Sequence, residues 1–367
     1  MNKVFRTFNS GRAVFFLLAF ICIIIAAAVL KIASTVILPF TIAALLAFVT
    51  YPLIKAMDKI RCPRALSILL IVLIIIVGMW LFGMILYSSA RMIAAQFPKY
   101  ENRFTEIYIW IADIFELPYD EELSFFANLW GQLGIRNFVR HFTISFSNIS
   151  VKFASSAVLV VLFMVFILTE AGFFKEKLST AFEGRIGQIN QIGNDIISQV
   201  TKYLAAKFLI SLVNGIIFAV GFYLVGLEFA IVWGLIQFLL NFIPTLGSIA
   251  AGVVISFFAL MQFWPEPGPI IIVVAIILFV NLILGNLLDP RIIGAHVGIS
   301  PLMILISLAI WGYIWGFAGM VLAVPMTVII KIVCENIPIL EPVSILIGSK
   351  KSVRAKKTDE EKHEAQS

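Results

Sequence analysis

Two stretches of this 367-residue chain combine polar side chains with broken backbone inside otherwise apolar sequence. The first is Asn241-Phe242-Ile243-Pro244-Thr245-Leu246-Gly247-Ser248. Pro244 removes a backbone donor and frees a carbonyl, and Thr245 and Ser248 add hydroxyls beside it. Freed carbonyls and half-helix ends can coordinate a cation or a polar solute. The alternative is a kink whose carbonyls are satisfied by neighbouring Ser and Thr side chains. Gln237 lies four residues before Asn241, so the two can share a helix face. With Asn281 they could line a solute path, or they could hydrogen-bond between helices. Asn286, five residues beyond Asn281, completes the polar set without sharing its tight face.

The second stretch runs from Gly285 to Pro325. Asp289-Pro290-Arg291 sits there between two apolar runs. The pair of charges could gate the path or couple an ion, or it could anchor a span end at the interface. Glu170, at the end of an earlier apolar run, has the same two readings and is a second possible partner for Arg291. Further on, Pro301, Gly312, Gly316, Gly319 and Pro325 interrupt the run. Gly312 and Gly316 form a small-xxx-small step that suits close helix packing; adding Gly319 and Pro325 favours a hinge or hairpin tip. No GxxxxGKS/T, HExxH or GxSxG is present, so neither a phosphate-cradling loop nor a zincin or serine-hydrolase centre is expected. Cys22, Cys62 and Cys334 are too scattered for a disulfide framework or a thiolate metal site. Neither a metal nor a cofactor is expected, and the chain reads as a non-enzyme.

What must position these residues follows from composition. The chain is 61% hydrophobic and only 13% charged, with a mean hydropathy of +1.03. A soluble domain cannot hide that much apolar surface, so the expected class is an all-α polytopic membrane protein. The net charge of +6 is explained by cytoplasmic anchoring loops, and no nucleic-acid partner is expected. Lys3, Arg6 and Arg12 precede a first span, and Lys55, Lys59, Arg61 and Arg64 follow a second; both groups belong in the cytoplasm. A cleaved signal at Ala26-Ala27-Ala28 is the weaker alternative, because a second apolar run starts at once. Ala65 to Ala90 reads as the third span.

The chain thus divides into N-terminal transmembrane helices (1–90), an amphipathic helical extramembrane arm (91–152), a C-terminal transmembrane transport region (153–349) and a charged, disordered cytoplasmic tail (350–367). Phe153 to Thr169 is the next span. Ile189, Ile192, Ile196, Ile197, Val200 and Leu204 then recur at helical spacing, which predicts an amphipathic interfacial helix in a cytoplasmic segment that also holds Lys202 and Lys207. Phe208 to Leu227 is a span of its own. The uncharged runs 229–265 and 297–330 are each broken midway; the first is either a pair of tightly linked spans or a re-entrant hairpin, and the second is either one very long span or a hairpin, which fits its glycine cluster better. Paired broken segments are a sequence pointer to a transporter site.

Four motifs occur in order: Asn-Phe-Ile-Pro-x-x-Gly at 241–247, Asp-Pro-Arg-Ile-Ile-Gly at 289–294, Val-Gly-Ile-Ser-Pro-Leu at 297–302, and Trp-Gly-x-x-Trp-Gly-x-x-Gly-Met-x-x-Ala-Val-Pro at 311–325. With them the chain resembles the autoinducer-2 exporter (AI-2E) family of PerM-like permeases. The resemblance implies a multi-pass inner-membrane protein of about eight membrane segments; the basic residues at both ends of the chain place both termini in the cytoplasm. It also implies a homo-oligomer, with a pentamer as the expected size. Pro244, Gly247, Pro290, Arg291, Gly294, Pro301, Gly312, Gly316, Gly319 and Pro325 fall at the motif positions, the glycines and most of the prolines as hinge or hairpin residues. Ala295 stands where the family often has a basic residue, so a cation's role there does not carry over.

The function expected is a secondary transporter or permease, with export as one direction open to it, for a small polar solute such as a quorum-sensing signal, or an ion-coupled antiporter. The lipid bilayer and that solute or ion are its expected partners. A membrane scaffold that recruits partners through the arm, and a passive channel, are the alternatives.

Overall fold

The computed structural model describes residues 10–114, 155–171, 173, 177, 180–181, 186–288 and 298–349. These are almost entirely helical; the pairing of Ile299 with Gly348 is an isolated bridge, and no strand occurs among the described residues. Six helices are long and apolar enough to cross a membrane. The chain is a polytopic all-α membrane protein.

Helices α1 (Ser10–Ile32) and α2 (Ser34–Lys59) are separated only by Ala33. A short basic turn leads into α3 (Arg64–Ile114). At 51 residues α3 is about 75 Å long, more than twice the thickness of a bilayer core. A span ending near Ala90 was expected; instead the strong helix formers Arg91 to Gln96 carry the helix on without a break. The arm beyond Ile114 and the tail after Ser349 lie outside the described residues. Helix α4 (Ser155–Ala171) packs between α2 and α3. Its Val160, Met164 and Leu168, spaced four apart, meet Ala43, Ala47 and Ile71.

Helix α5 (Ile186–Val225) is one continuous element of 40 residues. The expected interfacial helix and the span after it are therefore a single rod. The isoleucine periodicity is real, but Val200 and Tyr203 use it to pack into the protein core, and Lys207 falls mid-helix at 2% exposure.

Two helical hairpins pack on this rod. The first comprises α6 (Ala230–Leu240) and α7 (Leu246–Phe263). With 11 residues, α6 is about 16 Å long and cannot span a bilayer core. The arms run antiparallel: Trp233 stacks on Phe258 with centroids 5.0 Å apart, and at the far end Ser248 donates to the Asn241 Oδ1 at 3.3 Å. Gln262 closes the base, accepting from the Glu228 amide at 2.7 Å and donating to the Gly226 carbonyl at 2.8 Å. Helix α8 (Pro267–Val280) then runs back beside the hairpin and continues as a π-helix, Asn281–Leu288.

The second hairpin is α9 (Pro301–Glu335), which has the length of a long span but reverses at Gly316. The Ser307 hydroxyl donates to the Ala323 carbonyl at 2.9 Å, although these residues would lie about 24 Å apart along a straight helix. Gly316 has φ +62° and ψ −139°, a conformation open to glycine and strained for other residues. A short helix, α10 (Glu341–Ile347), returns the chain to the base, where the Ile347 carbonyl accepts from the Ser300 amide.

Both hairpins close by the same device. A carbonyl of the first arm abuts a glycine of the second: Leu240, the last of its arm, against Gly247, and Trp311, one turn before the break, against Gly319. A Cβ would sit 1.7 Å from the oxygen in one and 1.9 Å in the other, so neither glycine can carry a side chain unless backbone moves.

Candidate solute site

Helices α5 to α8 form a bundle with a layered interior. Its apolar layers are Phe218 and Phe222 of α5, Trp233 of α6, Ala251 and Ile255 of α7, and Val273 and Ile277 of α8. One turn further from the base, every helix changes character. On α5, Asn214 stands one turn from Phe218, and Ser211 and Lys207 follow on the same face. On α6, Gln237 and Asn241 succeed Trp233 at intervals of four. On α7 the residue is Ser248; on α8 it is Asn281, where the helix widens into its π form. Four helices thus contribute to one polar layer at the tip end of the first hairpin.

The layer is buried and joined by hydrogen bonds. Asn214 and Gln237 are each 1% exposed, and Asn241 is 5% exposed. Asn241 Nδ2 donates to Ser211 Oγ at 3.0 Å, its Oδ1 accepts from Ser248, and Gln237 Nε2 donates to Asn281 Oδ1 at 3.4 Å. Three atoms here are buried without a hydrogen-bond partner: Asn214 Oδ1, Gln237 Oε1 and Trp233 Nε1. Leaving such a group unsatisfied costs about 1–3 kcal/mol, so these three atoms make the layer the candidate site.

The tip beside this layer is strained. Thr245 has φ +63° and ψ −56°, and the Leu246 amide reaches back to the Pro244 carbonyl at 2.6 Å. This is a γ-turn of the rare positive-φ form, held by a β-branched residue. Strain of about 1–3 kcal/mol persists only where the surroundings impose it, and it concentrates at working sites. Thr245 is exposed and Pro244 half-buried, so the tip is accessible while the layer behind it is closed.

The second hairpin differs. Its interior hydroxyls, Ser307 and Thr327, pair with each other and with the Ala323 carbonyl. The indole of Trp315 donates to the Leu30 carbonyl of α1 at 3.0 Å, and the Lys31 ammonium lies 3.5 Å above the Tyr313 ring. Pro325 is buried inside the second arm, Pro301 opens the first, and Gly312 packs against Met320.

Of the residues singled out in the sequence, Gln237, Asn241, Ser248 and Asn281 come together in the polar layer, with Pro244, Thr245 and Gly247 at its tip. Asn286 lies on the π-helix beyond it. Glu170 stands apart, in an exposed ion pair with Lys177 at 3.2 Å. Asp289, Pro290, Arg291 and Gly294 lie outside the described residues. Sequence reasoning overlooked Lys207, Ser211, Asn214 and Trp233. The signal was there: positions 207, 211 and 214 repeat at helical spacing into an apolar span.

The profile of the AI-2E family of transporters matches residues 15–339. The chain belongs to the AI-2E transporter family. The match takes in both hairpins and the whole polar layer. Among similar proteins, the AI-2 transport protein TqsA of Escherichia coli K12 is 28% identical over 355 residues, covering 95% of this chain and 98% of its own. A Haemophilus influenzae chain, provisionally named a transport protein, is 31% identical over 341 residues and covers 90% of this chain and 95% of its own. A Borreliella burgdorferi chain with the same provisional name is 29% identical over 342 residues, at 92% and 91% coverage. This family member is a permease-type membrane protein, and the polar layer is its candidate solute site.

Proposed function

We propose that this transporter moves a small polar solute through the bundle of α5 to α8, with AI-2, the cargo in the name of the Escherichia coli relative, as the first solute to test. The single observation that carries this reading is the buried polar layer with its three unpaired atoms. Polar groups deep in a membrane bundle are costly and mark solute or ion paths. In the conformation described, the layers of Phe218, Phe222, Trp233, Ile255 and Val273 lie between the site and the base of the hairpin. A solute in the layer is therefore sealed from that side. Transport requires those layers to part, or the hairpin to move as a body, before the solute leaves.

The basic residues flanking α1 and α2 support cytoplasmic termini, in a bacterial inner membrane. With that orientation the base of the first hairpin faces outward and its tip points inward. The chain has no phosphate-cradling loop, which supports transport driven by a solute or ion gradient. An assembly of several copies fits the broad apolar faces left exposed, such as Ile216, Val220 and Leu224 on α5, although lipid covers such faces equally well.

The test is flux of radiolabelled AI-2 in everted vesicles. Saturable movement above that of vesicles lacking the protein, lost in Asn241→Leu, is the expected outcome. Flux equal to the empty vesicles removes AI-2 as cargo, and unchanged flux in Asn241→Leu removes the site.

A further inference from the structure

The three unpaired atoms specify more than polarity. Asn214 Oδ1 and Gln237 Oε1 are acceptors, whereas Trp233 Nε1 is a donor only. Trp233 and Gln237 are one turn apart on α6. Asn214 reaches the same interior from α5, beside the close contact of Gly215 with Gly234 and Phe238. A bare alkali cation would satisfy the two carbonyl oxygens, but the indole N–H presents it with a positive edge. A carboxylate or phosphate would suit the indole and meet two carbonyl oxygens. A neutral group that both donates and accepts suits all three atoms.

We infer that Asn214, Trp233 and Gln237 form a subsite for a neutral, hydroxyl-bearing solute, with two of its hydroxyls donating to the amide oxygens and one of its oxygens accepting from the indole. Asn214 and Trp233 are then specificity-determining residues that favour such solutes over alkali cations. Phe258 backs the Trp233 ring from the base side, with the two rings 5.0 Å apart. Carbon–hydrogen surface of the solute would rest against the Trp233 ring while its hydroxyls meet the amides. This inference rests on the permease reading, since it assigns the solute of that same layer.

The test measures binding, not flux, so the two readings can fail separately. The probe is erythritol, a short polyol, added to the purified full-length protein in detergent. The fluorescence of Trp233 is isolated by subtracting the spectrum of Trp233→Phe from that of the unaltered protein. Erythritol is expected to shift this difference spectrum in a saturable way, while lithium and sodium chloride do no more than choline chloride. Asn214→Leu should weaken the erythritol response about tenfold, as expected for losing one buried hydrogen bond. If Asn214→Leu does not fold, Gln237→Met provides the same comparison. A response to lithium or sodium in place of erythritol overturns the inference in favour of a cation site. No response to any probe, as a water-filled or internally paired layer would give, also overturns it. An erythritol response without AI-2 flux in vesicles leaves the subsite standing and removes AI-2 as the cargo.

Discussion

The two hairpins are built alike and finished differently. Each turns at a break with positive φ, at Thr245 in one and Gly316 in the other, and each closes a carbonyl onto a glycine. In the second hairpin the interior hydroxyls Ser307 and Thr327 are paired with each other and with a carbonyl, and the Trp315 indole is tied to α1. In the first, the layer beside the tip leaves Asn214, Trp233 and Gln237 each with an unpaired atom. The first also places a β-branched residue where the second places glycine. A hairpin meant only to pack would satisfy its buried groups and relax its turn, as the second does. Unsatisfied polar groups and a strained turn together set the first hairpin apart from the second and make it the candidate working one.

Five substitutions test this contrast. The largest effect should come where the hairpins are the same. Gly247→Ala and Gly319→Ala each drive a Cβ into backbone, and each should lower stability by about 3 kcal/mol or more, read as lost thermal stability in detergent. If only one is damaging, the shared closing device is wrong. Next, the hairpins should separate. Gln237→Leu should cut solute flux about tenfold or more in everted vesicles while stability falls by no more than about 1 kcal/mol, because the apolar isostere removes an unpaired acceptor together with one long hydrogen bond to Asn281. Ser307→Ala should do the reverse, lowering stability by about 1 kcal/mol with flux retained. The smallest effect belongs to Thr245→Gly, which relieves the strained turn and should raise stability by up to about 1 kcal/mol, measured by thermal unfolding. No stabilisation there would mean that the turn is not strained.

Much of this architecture is legible in the sequence because proline, glycine and amide residues are conspicuous in apolar runs. The breaks at Asn241–Gly247 and Gly312–Gly319 are visible for that reason, and so is the grouping of Gln237, Asn241 and Asn281. Local spacing does not reveal which segments fold back. The run from Pro301 to Glu335 reads equally as one span or two arms until Ser307 is seen against Ala323, a contact no periodicity encodes. Asn214 and Lys207 were overlooked for a related reason. A lysine near a basic segment reads as cytoplasmic, and only the continuity of α5 carries Lys207 into the protein interior. Trp233 resembles an ordinary core aromatic, since a missing partner for its indole exists only in three dimensions.

The most direct test of the account is cysteine accessibility on a Cys-free background, comparing positions 237 and 241 of the first hairpin with 307 and 327 of the second. A membrane-impermeant thiol reagent should reach Gln237→Cys or Asn241→Cys during transport, and added solute should change the labelling rate. Ser307→Cys and Thr327→Cys should stay unlabelled throughout. Labelling of the second pair, with the first pair silent under every condition, would contradict the assignment of the working hairpin.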